Sequence, residues 1–182
     1  MTDAVSGTQP ALPGGASTGH WVLDPAQSSV GFRHKTMWGL VTVRGHFSEL
    51  AGEGDVGPDG SIFGRIEIGA ASVDTKNAKR DKHLRSADFF NADAHPKLTF
   101  TATSAVVNAA GELAVSGNLT AAGTSRPLSL TAKVSDATAD SATLTAEVDI
   151  DRAEFGMAWN QAGMLKGPAT VSVAAHFARQ PG

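Results

Sequence analysis

An all-β fold, one sheet closed on itself or folded into a sandwich, is predicted by three observations. Apolar and small polar residues alternate over short runs, the period-2 signature of half-buried strands. Turn signals such as Gly57-Pro58-Asp59-Gly60, Asn108-Ala109-Ala110-Gly111, Ala121-Ala122-Gly123-Thr124 and Ser135-Asp136-Ala137 separate these runs. Helical periodicity is scarce, and loops this short imply antiparallel neighbours.

In chain order, residues 1–19 are rich in Gly, Pro, Ser and Thr and are expected to form a disordered tail. One domain follows over 20–178, with a C-terminal tail over 179–182, because 182 residues suit a single core. The expected strands are Ser28–Lys35, Leu40–Phe47, Ser61–Gly69, Lys97–Val107, Glu112–Thr120, Arg126–Val134, Ala142–Ile150 and Ala169–Phe177. The long interruption from Ala70 to Pro96 predicts a helix capped by Asp74 or Thr75 and running through Arg85. His95-Pro96 then returns the chain to extended backbone, and a second helical turn is expected over Asp151–Phe155.

Every second residue of these strands forms an apolar face with a Gly or Ala in its middle, as in Ile62-Gly64-Ile66-Ile68 and Val41-Val43-Gly45-Phe47. An eight-stranded barrel has a lumen that side chains just fill or that holds one small ligand. A belt of small residues favours the hollow form; the same alternation also fits the taper of a packed barrel. The candidate lumen residues are Phe32, His34, Phe47, Ile66, Phe100 and Ala102, followed by Gly117, Leu119, Leu130, Ala132, Val148 and Val173. Hydrocarbon lining of this kind favours an apolar guest. Trp21, Trp38, Phe89, Phe90, Phe155 and Trp159 fall at strand ends or in connections, where rings close a mouth or pack an end.

Composition narrows the function classes. Without Cys, disulfides and thiolate chemistry are excluded. A net charge of -3 and a pI of 6.0 provide no global field for nucleic acid. No run approaches the ~18 apolar residues that span a bilayer, so stable membrane insertion is not expected. The first residues lack a basic and then apolar leader pattern, which favours a cytoplasmic protein. Four of the histidines, His20, His46, His95 and His176, fall on polar registers, at a strand start or before Pro, and no HxH or HxxxH pair suggests zinc; no metal or cofactor is expected. His34 shares a register with Val30 and Phe32, so its imidazole should point inward and need a partner. The basic segment Lys76–Arg85, KNAKRDKHLR, is either the solvated face of a short helix or an anion site in which Arg80, His83 and Arg85 donate to phosphate oxygens.

The stretches WVLDPAQSSVGFRHK, VRGHF, ASVDTKNAKRDKHLRSADFF, HPKLTF, GNLTAAGTSRPLSL and IDRAEFGM, in this order from Trp21 to Phe177, resemble the YceI-like family of isoprenoid-binding proteins. The resemblance implies an extended, lipocalin-like, eight-stranded antiparallel barrel with one short helical connection, forming a homodimer. It implies a lumen holding an isoprenoid chain, such as a polyprenyl phosphate or quinone tail, or another long-chain amphiphile, in a carrier without a catalytic step. On that reading Trp38, Arg80, His83, Arg85, Phe89, Phe155 and Trp159 surround the mouth or head group. The family's recognisable blocks fall on Arg80 to Phe90 and on Asp151, Arg152, Phe155 and Gly156. Two other readings stand beside the carrier: an enzyme using His34 as acid or base on an apolar substrate, and a stress-related scaffold with a packed barrel.

Overall fold

The structure, a computed structural model, describes residues 15–181; most of the expected N-terminal tail and Gly182 lie outside the described residues. Eleven strands form one antiparallel sheet: β1 (Gly19–Leu23), β2 (Ser29–Thr36), β3 (Val41–Phe47), β4 (Leu50–Val56), β5 (Ile62–Gly69), β6 (Val73–Asp74), β7 (Lys97–Val107), β8 (Leu113–Ala121), β9 (Thr124–Ser135), β10 (Ser141–Ile150) and β11 (Lys166–Arg179). The order β1-β4-β5-β7-β8-β9-β10-β11 returns to β1 through a β1–β11 pairing, which closes an eight-stranded barrel. Closure leaves no free edge in that ring.

Of the three further strands, β2 and β3 arise because two long strands are broken, and β6 is a short addition after β5. Asp24 accepts the Ala26 N–H at 2.9 Å and Pro25 opens a short 3-10 turn over Pro25–Gln27, so β1 and β2 are offset. Both still pair with the 14-residue β11, β1 at Leu23↔Phe177 and β2 at Val30↔Val173. Ser48 and Glu49 likewise interrupt β3 and β4. Beyond that break the ring ends and β3 continues with β6 alone as its outer neighbour, through His46↔Asp74.

Strands β1, β4 and β6 were not expected from the pattern. In β4 the inward positions include Gly52 and Gly54, which hide the alternation that marks a strand. They are small for a reason: a Cβ on Gly52 would lie 3.1 Å from the Leu23 side chain, and one on Gly54 2.9 Å from the Phe63 carbonyl.

The helix α1 (Ala78–Arg85) starts later than expected. Lys76 adopts a left-handed φ of 63°, so neither Asp74 nor Thr75 can serve as its cap, and Asn77 accepts the Arg80 N–H at 3.0 Å instead. Thr75 and Asp81 are buried beneath it. Thr75 donates to one Asp81 carboxylate oxygen from its backbone N–H at 2.9 Å and from its hydroxyl at 2.6 Å. Leu84 of α1 and Phe89 and Phe90 of the connection after it pack against the barrel core, and Phe90 meets Phe47 edge-on at 5.6 Å.

Strand β7 carries a bulge between Ala102 and Ser104, after which Ala105 and Val107 face the core cluster of Leu113, Val115 and Ala132. The two-residue β8–β9 turn has Ala122 and Gly123 both at positive φ, the geometry that matches strand twist. Strands β9 and β10 pair only from Thr143↔Ser135 to Thr145↔Lys133. Their other ends diverge, and the 3-10 turn Arg152–Phe155 packs against β9 there, burying Phe155.

Candidate functional site

The barrel is hollow. A cavity of about 900 Å³ occupies the end covered by α1, and a narrower one of about 250 Å³ continues toward the other end. Val30, Ile68, Leu119, Ile150 and Val171 line both, so the two apolar cavities adjoin along the lumen. The packed-barrel reading does not fit this volume.

The lumen residues expected from the inward register mostly lie on its wall. Phe32, His34 and Phe47 line the wide part; Ile66, Phe100, Ala102, Leu130, Ala132, Val148 and Val173 line the narrow part; Leu119 lines both. Gly117 does not. It sits against the β7 bulge, where an added Cβ would come 2.1 Å from the Thr101 carbonyl oxygen and 2.9 Å from the Ala102 Cα. Its smallness serves strand approach rather than cavity width. Gly45 serves the Phe32 ring, which an added Cβ would meet at 2.6 Å.

Of the expected mouth residues, Arg80, His83, Phe89, Phe155 and Trp159 line the wide cavity. Arg85 and Trp38 lie off its wall. Arg85 ends α1, and Trp38 stands 53% exposed on the turn between β2 and β3, with its indole N–H donating to the Ala162 carbonyl at 3.1 Å. Arg80 faces the cavity, but its guanidinium is occupied: Nε donates to the Thr75 hydroxyl and Nη2 to the Thr75 carbonyl, both at 2.8 Å. Arg80 therefore fastens the start of α1. His83 pairs with Asp88 at 2.9 Å and presents its ring edge-on to Phe89 at 5.1 Å and Trp159 at 4.5 Å.

Three cations on the wall of the wide cavity were not among the expected site residues, Lys79, Lys82 and Arg152, and Arg152 is the one held by the connection after β10. Asp151 opens its turn by accepting the Ala153 N–H at 3.0 Å, and Gly156, at a φ of 77°, ends it. The chain then folds back so that Arg152 Nη1 donates to the carbonyls of Met157 and, at 2.7 Å, Trp159. The guanidinium lies over the Phe89 ring at 5.9 Å, a cation–π distance. Among the described residues no carboxylate pairs with it, and burial pulls its pKa below the ordinary guanidinium value. It remains a cation at neutral pH. The signal was present in IDRAEFGM, but only folding shows that this arginine enters a hydrocarbon cavity.

His34 donates its Nε2–H to the Gly167 carbonyl, 3.0 Å away, so Nε2 carries the proton of the neutral ring. Burial lowers its pKa and the Arg152 charge adds to this, while the Gly167 bond opposes them. The other histidines make local pairs, such as His20 with Asp55 at 2.9 Å and His176 with Thr143 at 2.9 Å. Among the described residues no cluster of three His, Asp or Glu side chains is arranged to hold a metal.

Residues 21–177 match the model of the YceI-like domain. The chain belongs to the YceI-like family. This YceI-like domain is 32% identical over 136 residues to a UPF0312 protein of Shewanella baltica, covering 72% of this chain and 71% of that protein. A 69-residue segment is 49% identical to Protein YceI of Shigella flexneri, covering 38% of this chain and 36% of that one. Among solved structures it resembles BcnA of Burkholderia cenocepacia, with a TM-score of 0.76 at 19% identity over 85% of this chain and 98% of that one. It also resembles a polyisoprenoid binding domain from Saccharophagus degradans, with a TM-score of 0.71 at 17% identity over 88% and 98% of the two chains. At these identities the solved structures bear on the fold, and they agree with the closed barrel.

Proposed function

We propose that this YceI-like domain binds and carries an isoprenoid-like or other long-chain amphiphile, with the tail in the lumen and the head beside Arg152 and His83. The observation that carries this reading is the division of labour between two adjoining cavities: mostly hydrocarbon walls in both, with cations free of ion pairs among the described residues, Arg152 being one, at the wide end alone. Tail burial stabilises the complex by roughly 25 cal/mol per Å² of apolar surface removed from water. Arg152 keeps its Nη2 and Nε donors for an acceptor on the head, and a phosphate or quinone oxygen is such an acceptor. The structural neighbour described as a polyisoprenoid binding domain supports the same ligand class.

Mass spectrometry of an organic extract, made from protein purified without detergent, tests the proposal. A co-purifying long-chain lipid is expected. Repeated absence of any such lipid, together with no binding of long-chain quinones or polyprenyl phosphates, overturns it.

A further inference from the structure

We propose that the two loops at residues 36–41 and 160–166 form a docking tip that seats the barrel mouth on an anionic lipid bilayer. Among the described residues six large hydrophobic side chains are strongly exposed, and four of them, Met37, Trp38, Leu40 and Val41, fall within this one turn. Leu40 is 85% exposed. A soluble barrel gains nothing from holding such a cluster in water, and apolar clusters rimmed by polar residues mark interaction sites.

The cluster is held in place. Trp38 donates from its indole to Ala162 at 3.1 Å and from its backbone N–H to Met164 at 3.0 Å, which joins the two loops into one projection. Met37, Trp38 and Ala162 keep left-handed φ values of 50°, 56° and 52°, a conformation that costs each side chain some energy. The base of the projection, Thr36, Met164 and Leu165, is wall of the wide cavity. An apolar surface entering the bilayer interface here would therefore bring the mouth against the lipid.

Charge selects the occupant. Lys35 and Lys166 stand directly opposite each other on β2 and β11, an arrangement that costs energy between like charges. Lys79 and Lys82 of α1 line the same wide cavity as the base of the projection. No ion pair among the described residues engages any of these four. A second copy docked tip to tip would bring the same lysines together, because a two-fold interface sets a patch against itself. An anionic headgroup layer neutralises them, with tryptophan at the depth where that side chain concentrates. Docking is a property of the surface and stands apart from the identity of the cargo.

Flotation of the purified chain with vesicles of phosphatidylcholine alone, or mixed with phosphatidylglycerol, tests this. The wild-type chain is expected to float with the mixed vesicles and far less with the neutral ones. Leu40→Asp should lower binding by more than about tenfold. Lys35→Glu with Lys166→Glu should remove the preference for anionic vesicles, by about fivefold for each lysine. Both variants change exposed side chains, and unchanged thermal melts verify the fold. Wild-type protein that floats with neither vesicle overturns the proposal, as do tip variants that float like the wild type. Sedimentation that shows Leu40→Asp splitting a dimer, with no vesicle binding by the wild type, assigns the tip to a second copy instead. A chain that docks yet never yields a lipid extract leaves docking standing and removes the carrier reading.

Discussion

The wide end of the cavity, about 900 Å³, carries Arg152, His83, Phe89 and Trp159 on its wall, whereas the narrow end, about 250 Å³, is lined by side chains such as Ile66, Phe100, Leu130 and Ala146. The wide end is made by interruptions. It lies where β3 leaves the ring, where β9 and β10 diverge, and where α1 and the turn Arg152–Phe155 cover the openings. The narrow end is made by strand pairing, from Gly54↔Gly64 to Gly64↔Ala102 and Ala102↔Gly117, broken only by the single bulge between Ala102 and Ser104 on these strands. Regular ladders leave room only for alternating side chains. Polar and cationic groups enter the cavity where the ladder stops, because connections there point side chains in directions that strand alternation forbids.

Four substitutions or conditions test this contrast. The largest effect is expected from Gly117→Leu in the narrow half. A Cβ already collides with the Thr101 carbonyl at 2.1 Å, so the β7–β8 register must shift, and urea denaturation should show a loss of about 3 kcal/mol or more. Wild-type stability in that variant would mean that the narrow end is not set by strand approach.

Next, Arg152→Met preserves length and apolar packing but removes the charge from the wide end. Affinity for a phosphate-headed amphiphile should fall by roughly 10-fold to 100-fold, the range of about 1.5–3 kcal/mol for a hydrogen bond to a charged group. Affinity for an uncharged hydrocarbon of the same length, followed by fluorescence displacement, should stay within about twofold, since burial of the tail does not involve the guanidinium. Equal losses for both ligands would erase the proposed separation of head and tail.

Ala146→Leu fills part of the narrow cavity. Binding of the longest chains should weaken by about tenfold, with short chains unaffected, because only a long tail reaches the filled volume. A uniform loss would place the tail elsewhere.

The smallest effect concerns His34. Burial, with Arg152 adding to it, lowers its folded pKa below the ordinary 6.5, so the unfolded chain takes up this proton more readily. The native state has its full stability above the ordinary value and loses part of it as pH falls from there toward the depressed folded pKa. Thermal melts across that window should therefore show a decline that His34→Gln reduces. An identical decline in the variant would assign the pH response to other groups.

Much of the fold was legible in the residues. The strands from Ser61 to Phe177 appear within a few positions of their observed limits, because each alternates apolar and polar residues and ends at a turn signal. Leu50–Val56 was not legible, since Gly52 and Gly54 stand where apolar side chains would have marked it. The start of α1 was misplaced, because the left-handed Lys76 transfers the cap from Thr75 to Asn77. Within the site, Phe32, Phe47 and Leu119 follow from register alone. Arg85 and Trp38 do not line the cavity, because helix rotation and turn direction are not encoded by period-2 patterning.

Local pattern by itself determined that this chain makes an antiparallel sheet, which face of most strands is apolar, and that small residues recur along that face. Those properties depend on neighbours in sequence. Only the tertiary structure decided which small residues widen the lumen and which admit a neighbouring backbone, as Ala146 and Gly117 respectively do. It alone set Arg152 inside the cavity while Thr75 holds Arg80, since in each case a turn folds carbonyls or a hydroxyl five to seven residues away back onto the guanidinium. A cation's role follows from the acceptors the fold leaves around it, and strand periodicity carries no record of those.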